Sequence, residues 1–337
     1  MRTNRRTFLL RSALGLGALA CAGGGALARD GATAAVSPNG KPLSGVFPIG
    51  WTPCRPDNRL DTDAIARQRQ FLHRGRVAGI AWPQNASGWQ SLTPAEWHAG
   101  AEALASAKGS GALVLGVQTV GFDTAASQAY ARKAKSLDAD AIISLTPPGA
   151  DDAAVAAYFK ALSDACGLPI MVQAVGDVSV ENLIALARAV PAIVAVKDEA
   201  GDPLERAPDL LRGAGDRLED FSGGGGLTFF AELELGFRGT MPYAGMADVL
   251  QACFNAYMAG RKTEAYDTFG RFLAFNSLPF ANNYVMMARG VFAEVAIMRA
   301  NPTTGAPARR RGGPITPAQK AQIRTALDTY LKGHLVA

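Results

Sequence analysis

The sequence is poor in residues that bind metal ions. Its 337 residues include three histidines, His73, His98 and His334, which are far apart and show no metal-ligand spacing with cysteine or carboxylate residues. The glycine fingerprint of dinucleotide-binding sheets is also missing after the first predicted strand. We therefore expect no metal site and no cofactor.

Cysteine is scarce as well. Beyond Cys21 near the N-terminus, the chain has Cys54, Cys166 and Cys253, an odd number at wide spacing. A disulfide framework needs paired cysteines, so none is indicated even in an oxidising compartment.

The excess of positive charge lies in the first residues of the chain. The formal net charge is +5, but Arg2, Arg5, Arg6 and Arg11 belong to a segment without aspartate or glutamate. Without these four charges the formal net charge falls from +5 to +1. The sequence therefore gives no charge argument for a nucleic-acid partner, or for a membrane partner beyond export.

The same segment has the pattern of an export signal. Asn4–Leu10 contains a twin-arginine pair, an apolar run follows over Ser12–Ala20, and Ala26–Ala28 has the small residues of a cleavage site. We predict that residues 1–28 are a twin-arginine signal peptide and that the protein is periplasmic or secreted. Two alternatives stay open. One is an uncleaved membrane anchor, although the apolar run is shorter than the roughly 20 residues of a span, and the other is a lipoprotein modified at Cys21.

Apolar runs of strand length alternate with helical stretches between residues 45 and 260. This order is typical of a parallel sheet with helices outside it, and eight such units favour a (β/α)8 TIM barrel over an open doubly wound sheet. The predicted strands are Val46–Thr52, Ala78–Trp82, Leu113–Thr119, Ala141–Thr146, Pro169–Ala174, Ile193–Lys197, Glu219–Ser222 and Gly239–Tyr243.

Aspartate, serine or threonine stands where most of the helices between these strands should begin, as expected of capping residues. The predicted starts lie near Asp61, Thr93, Asp123, Asp151, Ser179, Asp202, Leu227 and Met246. Residues 29–44, which are small, polar and interrupted by glycine and proline, predict a flexible lead-in. The helical stretches Lys262–Phe275, Asn283–Ala300 and Pro317–Lys332 predict a C-terminal helical extension over residues 261–337.

One predicted strand ends in a lysine that could carry chemistry. The apolar run Ile193–Val196 leads into Lys197, which is followed by Asp198 and Glu199. Burial disfavours the charged ammonium, and the free amine is the form that attacks a carbonyl to make a Schiff base. A strand-end lysine that reaches solvent or pairs with a neighbouring carboxylate is the alternative.

Several segments, in this order and at this spacing, resemble the dihydrodipicolinate synthase / N-acetylneuraminate lyase family. They are Trp51–Pro53 with Asp57 and Leu60–Asp61, Ser91–Glu96, Ala139–Ala141 with Thr146–Pro147, Tyr158–Phe159, Gly167–Ile170, Lys197–Asp202 and Phe221–Gly223. The resemblance spans residues 45–333. It implies a (β/α)8 barrel that acts on pyruvate or another 2-oxo acid through a Schiff base at Lys197, and it allows a homo-oligomer.

The chain departs from the family pattern in three loops. The family's Gly-Thr-Thr-Gly-Glu loop, which holds the substrate carboxylate, is replaced by Gln84–Gly88. Thr146-Pro147 is not followed by the tyrosine pair that relays protons, and Gln173–Gly176 lacks a nearby arginine. The dihydrodipicolinate synthase reaction itself is therefore not expected.

Other residues must then supply acid/base chemistry and substrate contacts. Tyr243 is the preferred acid/base candidate, with Asp151 and Glu199 as alternatives, although Tyr243 could equally be a core aromatic. Gly223–Gly226 could form a backbone cradle for an anionic group or a plain turn. The predicted substrate-binding residues are Thr52, Asn85, Ala86, Ser87, Gln118 and Gly223.

Two functions follow from these residues. The first is an exported Schiff-base lyase, of aldolase or dehydratase type, that acts on a 2-oxo acid through Lys197 with Tyr243 as acid/base. The second is an exported binding protein that keeps the fold without the chemistry. The retained lysine favours the first, and the missing tyrosine favours the second.

Overall fold

A computed structural model describes residues 34–299 and 314–336; the predicted signal peptide lies outside these ranges. Within them, eight parallel strands follow one another around a nearly closed barrel. In chain order the strands of the protein are β1 Gly45–Val46, β2 Pro53–Cys54, β3 Gly79–Trp82, β4 Ala112–Gly116, β5 Ala141–Leu145, β6 Ile170–Val175, β7 Ile193–Glu199, β8 Glu219–Ser222, β9 Gly239–Thr240 and β10 Ile297–Met298. All but β2 and β10 belong to the barrel, so the predicted (β/α)8 TIM barrel is confirmed.

The barrel closes through the residues that follow β1. Ile49 bridges both Ala81 on one side and Tyr243 on the other, in parallel register. The Gly50 N–H donates to the Ala81 carbonyl at 2.9 Å, and the Ala81 N–H donates to the Pro48 carbonyl at 3.0 Å. The first predicted strand, Val46–Thr52, is therefore shorter than expected but still occupies its place in the sheet.

Helices connect the strands on the outside of the barrel, as the alternating pattern predicts. They are α1 Thr62–Arg74, α2 Pro94–Ser106, α3 Thr124–Ser136, α4 Asp152–Cys166, α5 Val180–Ala189, α6 Pro203–Ala214, α7 Phe229–Leu235 and α8 Ala247–Met258. The side chains of Asp61, Thr93, Asp123, Asp151, Ser179 and Asp202 cap the first six of them, each accepting a hydrogen bond from a backbone N–H of the first turn. These capping residues were all identified from sequence.

Side chains fill both faces of the sheet. Inside the barrel, Phe47 and Phe221 meet edge to face with ring centroids 5.5 Å apart, and Met171 is buried in the same cluster. Each Å² of apolar surface buried in this way contributes about 25 cal/mol, and this burial is the main stabilising contribution to the interior of the barrel. Open space lies at the carboxyl ends of the strands, where the strand-end side chains emerge.

The C-terminal extension differs from prediction in its middle part. Helices α9 Lys262–Asn276, α10 Asn282–Ala288 and α11 Pro317–Leu331 are present, but the stretch predicted as helix over Asn283–Ala300 stops at Ala288. Gly290 has φ +75° and its N–H donates to the Met287 carbonyl, which ends the helix. The chain then forms β10, which pairs antiparallel with β2. Among the described residues, no helix has both the length and the apolar character to span a membrane.

Residues 34–44, the described part of the predicted lead-in over residues 29–44, pack against the amino ends of the barrel strands. Ser37 Oγ, Asn39 Nδ2 and Lys41 Nζ donate to the carboxylate of Asp140 at 2.8, 3.0 and 2.9 Å. Leu43 is fully buried. Burial raises the pKa of Asp140, but hydrogen bonds from the Leu113 N–H and these three side chains outweigh it and lower the pKa below its ordinary value.

Candidate active site

Lys197 lies near the carboxyl end of β7, between Gln173 on β6 and Phe221 on β8. Its side chain is only 7% exposed, and most of the strand that carries it is buried. The apolar run that precedes it has delivered the amine to the mouth of the barrel, as the sequence predicts.

Glu199 holds the amine of Lys197. Its Oε2 atom lies 2.7 Å from Lys197 Nζ and also accepts a hydrogen bond from Gln173 Nε2 at 2.6 Å. Its Oε1 atom accepts from the Gly224 N–H at 3.3 Å. Burial raises the pKa of Glu199, but the charge of Lys197 and these hydrogen bonds outweigh burial and lower the pKa from 4.5. The carboxylate is therefore ionised at neutral pH.

The glycine run after β8 makes room for this carboxylate. A Cβ atom at Gly223 would lie 2.5 Å from Glu199 Cγ, so a side chain there would displace the acid. Gly224, Gly225 and Gly226 all have positive φ, a conformation that favours glycine. In the predicted anion cradle, the Gly224 N–H thus donates to a carboxylate of the protein itself, that of Glu199.

A cavity of about 340 Å³ opens above Lys197 and Glu199. Of the predicted site residues, Lys197, Tyr243, Asn85 and Ala86 line it. The complete lining is Ile49, Gln84, Asn85, Ala86, Gln173, Lys197, Glu199, Gly224, Gly225, Met241, Pro242 and Tyr243. A volume of this order accommodates a small organic acid rather than a large ligand.

Tyr243 has features of both roles considered from the sequence, a core aromatic and an acid/base group at the cavity. Its ring stacks on Trp51 with centroids 5.5 Å apart and planes at 13°, which is aromatic packing. The same side chain also lines the cavity that contains Lys197. It follows β9 by three residues instead of lying within the strand, because β9 ends at Thr240.

The other predicted substrate-binding residues lie behind the cavity wall. Thr52 Oγ1 accepts from Trp82 Nε1 at 2.9 Å, and Gln118 Nε2 donates to the Pro83 carbonyl at 3.2 Å. The Ser87 hydroxyl donates to the Gly50 carbonyl and accepts from the Gln84 N–H. Their polar groups hold the mouth loops in place, and their roles in binding substrate stay predictions.

Asp151, the remaining acid/base candidate, caps a helix. Its Oδ1 accepts from the Ala154 N–H at 2.8 Å, and the residue does not line the cavity. Of the three candidates, the structure brings Glu199 and Tyr243 together with Lys197.

Sequence reasoning missed Gln173 as a cavity residue. Gln173 interrupts the apolar strand Ile170–Val175, and a lone polar side chain in a buried strand is a signal for an inward-facing functional position. Gln84, which the sequence places at the barrel mouth in the replaced loop, lines the cavity as well. Its amide donates to Gln118 Oε1 at 3.2 Å across the loop.

Comparison with known proteins agrees with the fold. A sequence model of the dihydrodipicolinate synthetase family matches residues 42–326. The chain belongs to this family. Members of the dihydrodipicolinate synthetase family are Schiff-base lyases or dehydratases.

Individual relatives within the family differ in the reaction that they catalyse. L-2-keto-3-deoxyarabonate dehydratase of Azospirillum brasilense is 26% identical over 265 residues, which are 76% of this chain and 84% of the relative. A 4-hydroxy-tetrahydrodipicolinate synthase of Methanosarcina mazei is 24% identical over 227 residues, or 65% of this chain and 76% of the relative.

Solved structures of the family share the fold. Dihydrodipicolinate synthase of Rhodopseudomonas palustris superposes with a TM-score of 0.69 at 21% identity, covering 87% of this chain and 98% of that one. N-acetylneuraminate lyase of Mycoplasma synoviae gives a TM-score of 0.69 at 19% identity, covering 86% and 99%.

Proposed function

We propose that this protein is a Schiff-base lyase of the dehydratase type, acting on a 2-oxo acid through Lys197. The observation that carries the proposal is the contact between Lys197 Nζ and Glu199 Oε2, which are 2.7 Å apart in the lining of the cavity. A nucleophilic amine and an adjacent proton acceptor are the two groups that imine chemistry needs.

The ion pair supplies the free amine. Transfer of one proton from the Lys197 ammonium to the Glu199 carboxylate leaves a neutral amine, which attacks the ketone carbon of the substrate. Glu199 then returns that proton to the hydroxyl of the addition product, which leaves as water while the iminium forms. The acid is again a carboxylate, ready for the next proton transfer.

Dehydration uses the same group a second time. Glu199 takes a proton from C3 of the substrate, and the iminium accepts the electron pair to give an enamine. The enamine expels the hydroxyl at C4, which leaves as water with the proton from Glu199. Hydrolysis of the remaining imine releases the dehydrated 2-oxo acid and the lysine. The dehydratase from Azospirillum brasilense supports elimination over carbon–carbon cleavage.

Two further residues complete the proposed site. We place the substrate carboxylate beside Asn85 and Ala86, because both line the cavity and belong to the loop that replaces the family's carboxylate-binding sequence. Asn85 Oδ1 accepts from Trp89 Nε1 at 3.0 Å, which leaves its amide nitrogen to donate to an anion. Tyr243 is proposed as a second acid/base group.

A binding protein for 2-oxo acids is the second candidate. The observation that favours it is the same ion pair, since a lysine held as an ammonium binds a carboxylate without reacting. Export is part of both proposals, and it rests on the twin-arginine pattern of residues 1–28. A homo-oligomer is proposed from the resemblance to the family.

The experiment that separates the two candidates is borohydride reduction in the presence of pyruvate, followed by intact-mass measurement. A Schiff-base lyase gains one reduced adduct, mapped to Lys197 by peptide mass. Lys197→Arg, which keeps the charge and cannot form an imine, should abolish the adduct and stay folded. No adduct with any 2-oxo acid, together with saturable binding, would establish the binding protein instead.

The role of Glu199 has its own test. Glu199→Gln should slow adduct formation and turnover by about 10²–10⁴-fold, the usual contribution of a positioned acid/base group. Glu205→Gln, an exposed position on α6, is the matched control and should leave the rate unchanged. Unaltered rates in Glu199→Gln would assign the acid/base role to another residue, and Tyr243→Phe would then be the next variant to measure.

A further inference from the structure

The charges around the cavity have a distribution that the proposed reaction does not require. Lys197 is the one cationic side chain among the residues that line it, within the part of the chain that the structure describes. That cation becomes part of the imine when the substrate binds covalently. The remaining charged group is Glu199, which is anionic. A substrate with a second negative charge would find no cation left to pair with it.

The loops that surround the mouth continue this pattern. The loops after the seven barrel strands β3 to β9, at residues 83–93, 117–123, 146–151, 176–179, 200–202, 223–228 and 241–246, contain no lysine, arginine or histidine. They do contain Asp123, Asp151, Asp177 and Asp202. Capping contacts to the starts of α3, α4 and α6 hold three of these carboxylates at the rim. Arg206 of α6 donates to the Val178 carbonyl in one of these loops, but its guanidinium is paired with Asp198 at 2.8 Å. The seven loops themselves therefore supply no cation for a second anionic group.

The first loop carries two arginines, and both are engaged elsewhere. Arg59 Nε lies 2.6 Å from Asp57 Oδ2, and Arg55 lies 3.7 Å from Asp63. Neither arginine lines the cavity. The first loop thus supplies no cation to the part of the substrate that lies beyond the reacting carbon.

Uncharged acceptors, in contrast, are present in the wall. Gln173 Nε2 donates to Glu199 and Gln84 Nε2 donates to Gln118, which fixes the orientation of both amides. Gln84 Oε1 and Gln173 Oε1 are buried without a hydrogen-bond partner. A carbonyl oxygen repels a carboxylate, but it accepts a hydrogen bond from a hydroxyl, and a buried acceptor left unpaired is costly.

From these observations we infer that the site selects 2-oxo acids with a single carboxylate and an uncharged, hydroxyl-bearing remainder, and rejects those with a second anionic group. The inference rests on the proposed function in that it concerns the same cavity. The lining therefore determines the substrate class by charge as well as by size.

Calorimetric binding of three probes of similar length tests the selection by charge. They are 2-oxopentanoate, 2-oxoglutarate and the 5-methyl ester of 2-oxoglutarate, which has the size of a charged tail without its charge. We expect the ester and 2-oxopentanoate to bind at least about tenfold more tightly than 2-oxoglutarate, because like charges repel in a partly desolvated site. Equal or tighter binding of 2-oxoglutarate would overturn the inference, and so would failure of all three to bind.

A charge-adding variant identifies the wall as the cause. Met241→Arg places a cation in the cavity, on a different loop from Asn85 and Ala86, where we place the first carboxylate, and it should bring the affinity for 2-oxoglutarate to within about threefold of that for the ester. Ala150→Arg adds the same charge at an exposed position of the mouth outside this cavity, and it should keep the preference of the natural protein. Loss of the preference in both variants would show that net charge, and not the lining, sets it.

Borohydride adducts measured on the same samples separate this inference from the proposed function. An adduct with pyruvate but no preference among the probes overturns the charge selection and leaves the Schiff-base lyase standing. A preference for the uncharged tails without any adduct overturns the lyase and leaves the charge selection standing.

Discussion

The contact between Lys197 and Glu199 joins two residues that are two positions apart on one strand. Residues at this spacing share a face of a strand, so both side chains point towards the barrel mouth. Breaking one partner of such a buried pair leaves an uncompensated charge, which costs more than the pair contributes. The pair is therefore a site where chemistry and stability are coupled.

The way in which the free energy of unfolding changes at acidic pH should report this coupling. The pKa of Glu199 is lowered in the folded protein, so its ionised form contributes stability above the unfolded value near 4.5, and that contribution is lost as pH falls through the lower folded value. We expect the free energy of unfolding of the natural protein to exceed that of Glu199→Gln at about pH 7 and the difference to shrink towards about pH 3. Denaturant unfolding at several pH values measures it. A difference that grows on acidification would contradict the assignment of an ionised Glu199.

At the scale of elements, the loops at the barrel mouth also supply the residues that cap the helices after them. Asp151 is an example. From the sequence, a carboxylate that follows a strand can act either as an acid/base group or as the N-cap of the next helix. In the structure it accepts a hydrogen bond from the Ala154 N–H and lies outside the cavity of Lys197. This geometry favours the capping role over an acid/base role.

Substitution of Asp151 distinguishes a cap from an acid/base group. Asp151→Ala should lower the free energy of unfolding by about 1 kcal/mol, the usual cost of losing an N-cap. Asp151→Asn keeps a capping oxygen and should lose little stability. Neither variant should change the rate of adduct formation with pyruvate. A rate reduced in both variants, with stability kept in Asp151→Asn, would return Asp151 to the catalytic group.

The whole molecule is closed at its amino-terminal face by residues 34–44. Asp140 gathers Ser37, Asn39 and Lys41 around one buried carboxylate, and the Leu113 N–H donates to its Oδ2 at 2.8 Å. Residues 34–44 are thus part of the folded barrel. Its contacts cross about 100 residues of sequence, with separations of 99 to 103 positions.

Removal of the Asp140 charge should loosen this face. Asp140→Asn is expected to cost about 2 kcal/mol of stability, because hydrogen bonds to a charged buried acceptor are stronger than those to a neutral one. Ser37→Ala removes a single donor and should cost less, about 1 kcal/mol. Thermal unfolding and protease sensitivity near residue 34 measure both. Since the site lies at the opposite end of the strands, adduct formation with pyruvate at low temperature should be unaffected.

The sequence by itself determined the parts that depend on local chemistry. Strand-length apolar runs and capping residues fix where strands and helices begin, and the run before Lys197 places that lysine at a strand end. The end of α10 at Ala288, just before Gly290, was missed because a single glycine in an apolar stretch is compatible with a helix until its φ is known.

Only the tertiary structure decided which strand-end residues meet. Gln173 and Glu199 are 26 positions apart in sequence, and their contact depends on the register between β6 and β7. The Ser87 hydroxyl and the Gln118 amide donate to backbone carbonyls of other loops, and these contacts too depend on tertiary packing. Local patterns fix an element and its ends, whereas the direction of a polar group at a barrel mouth depends on partners from other strands, which no local pattern contains.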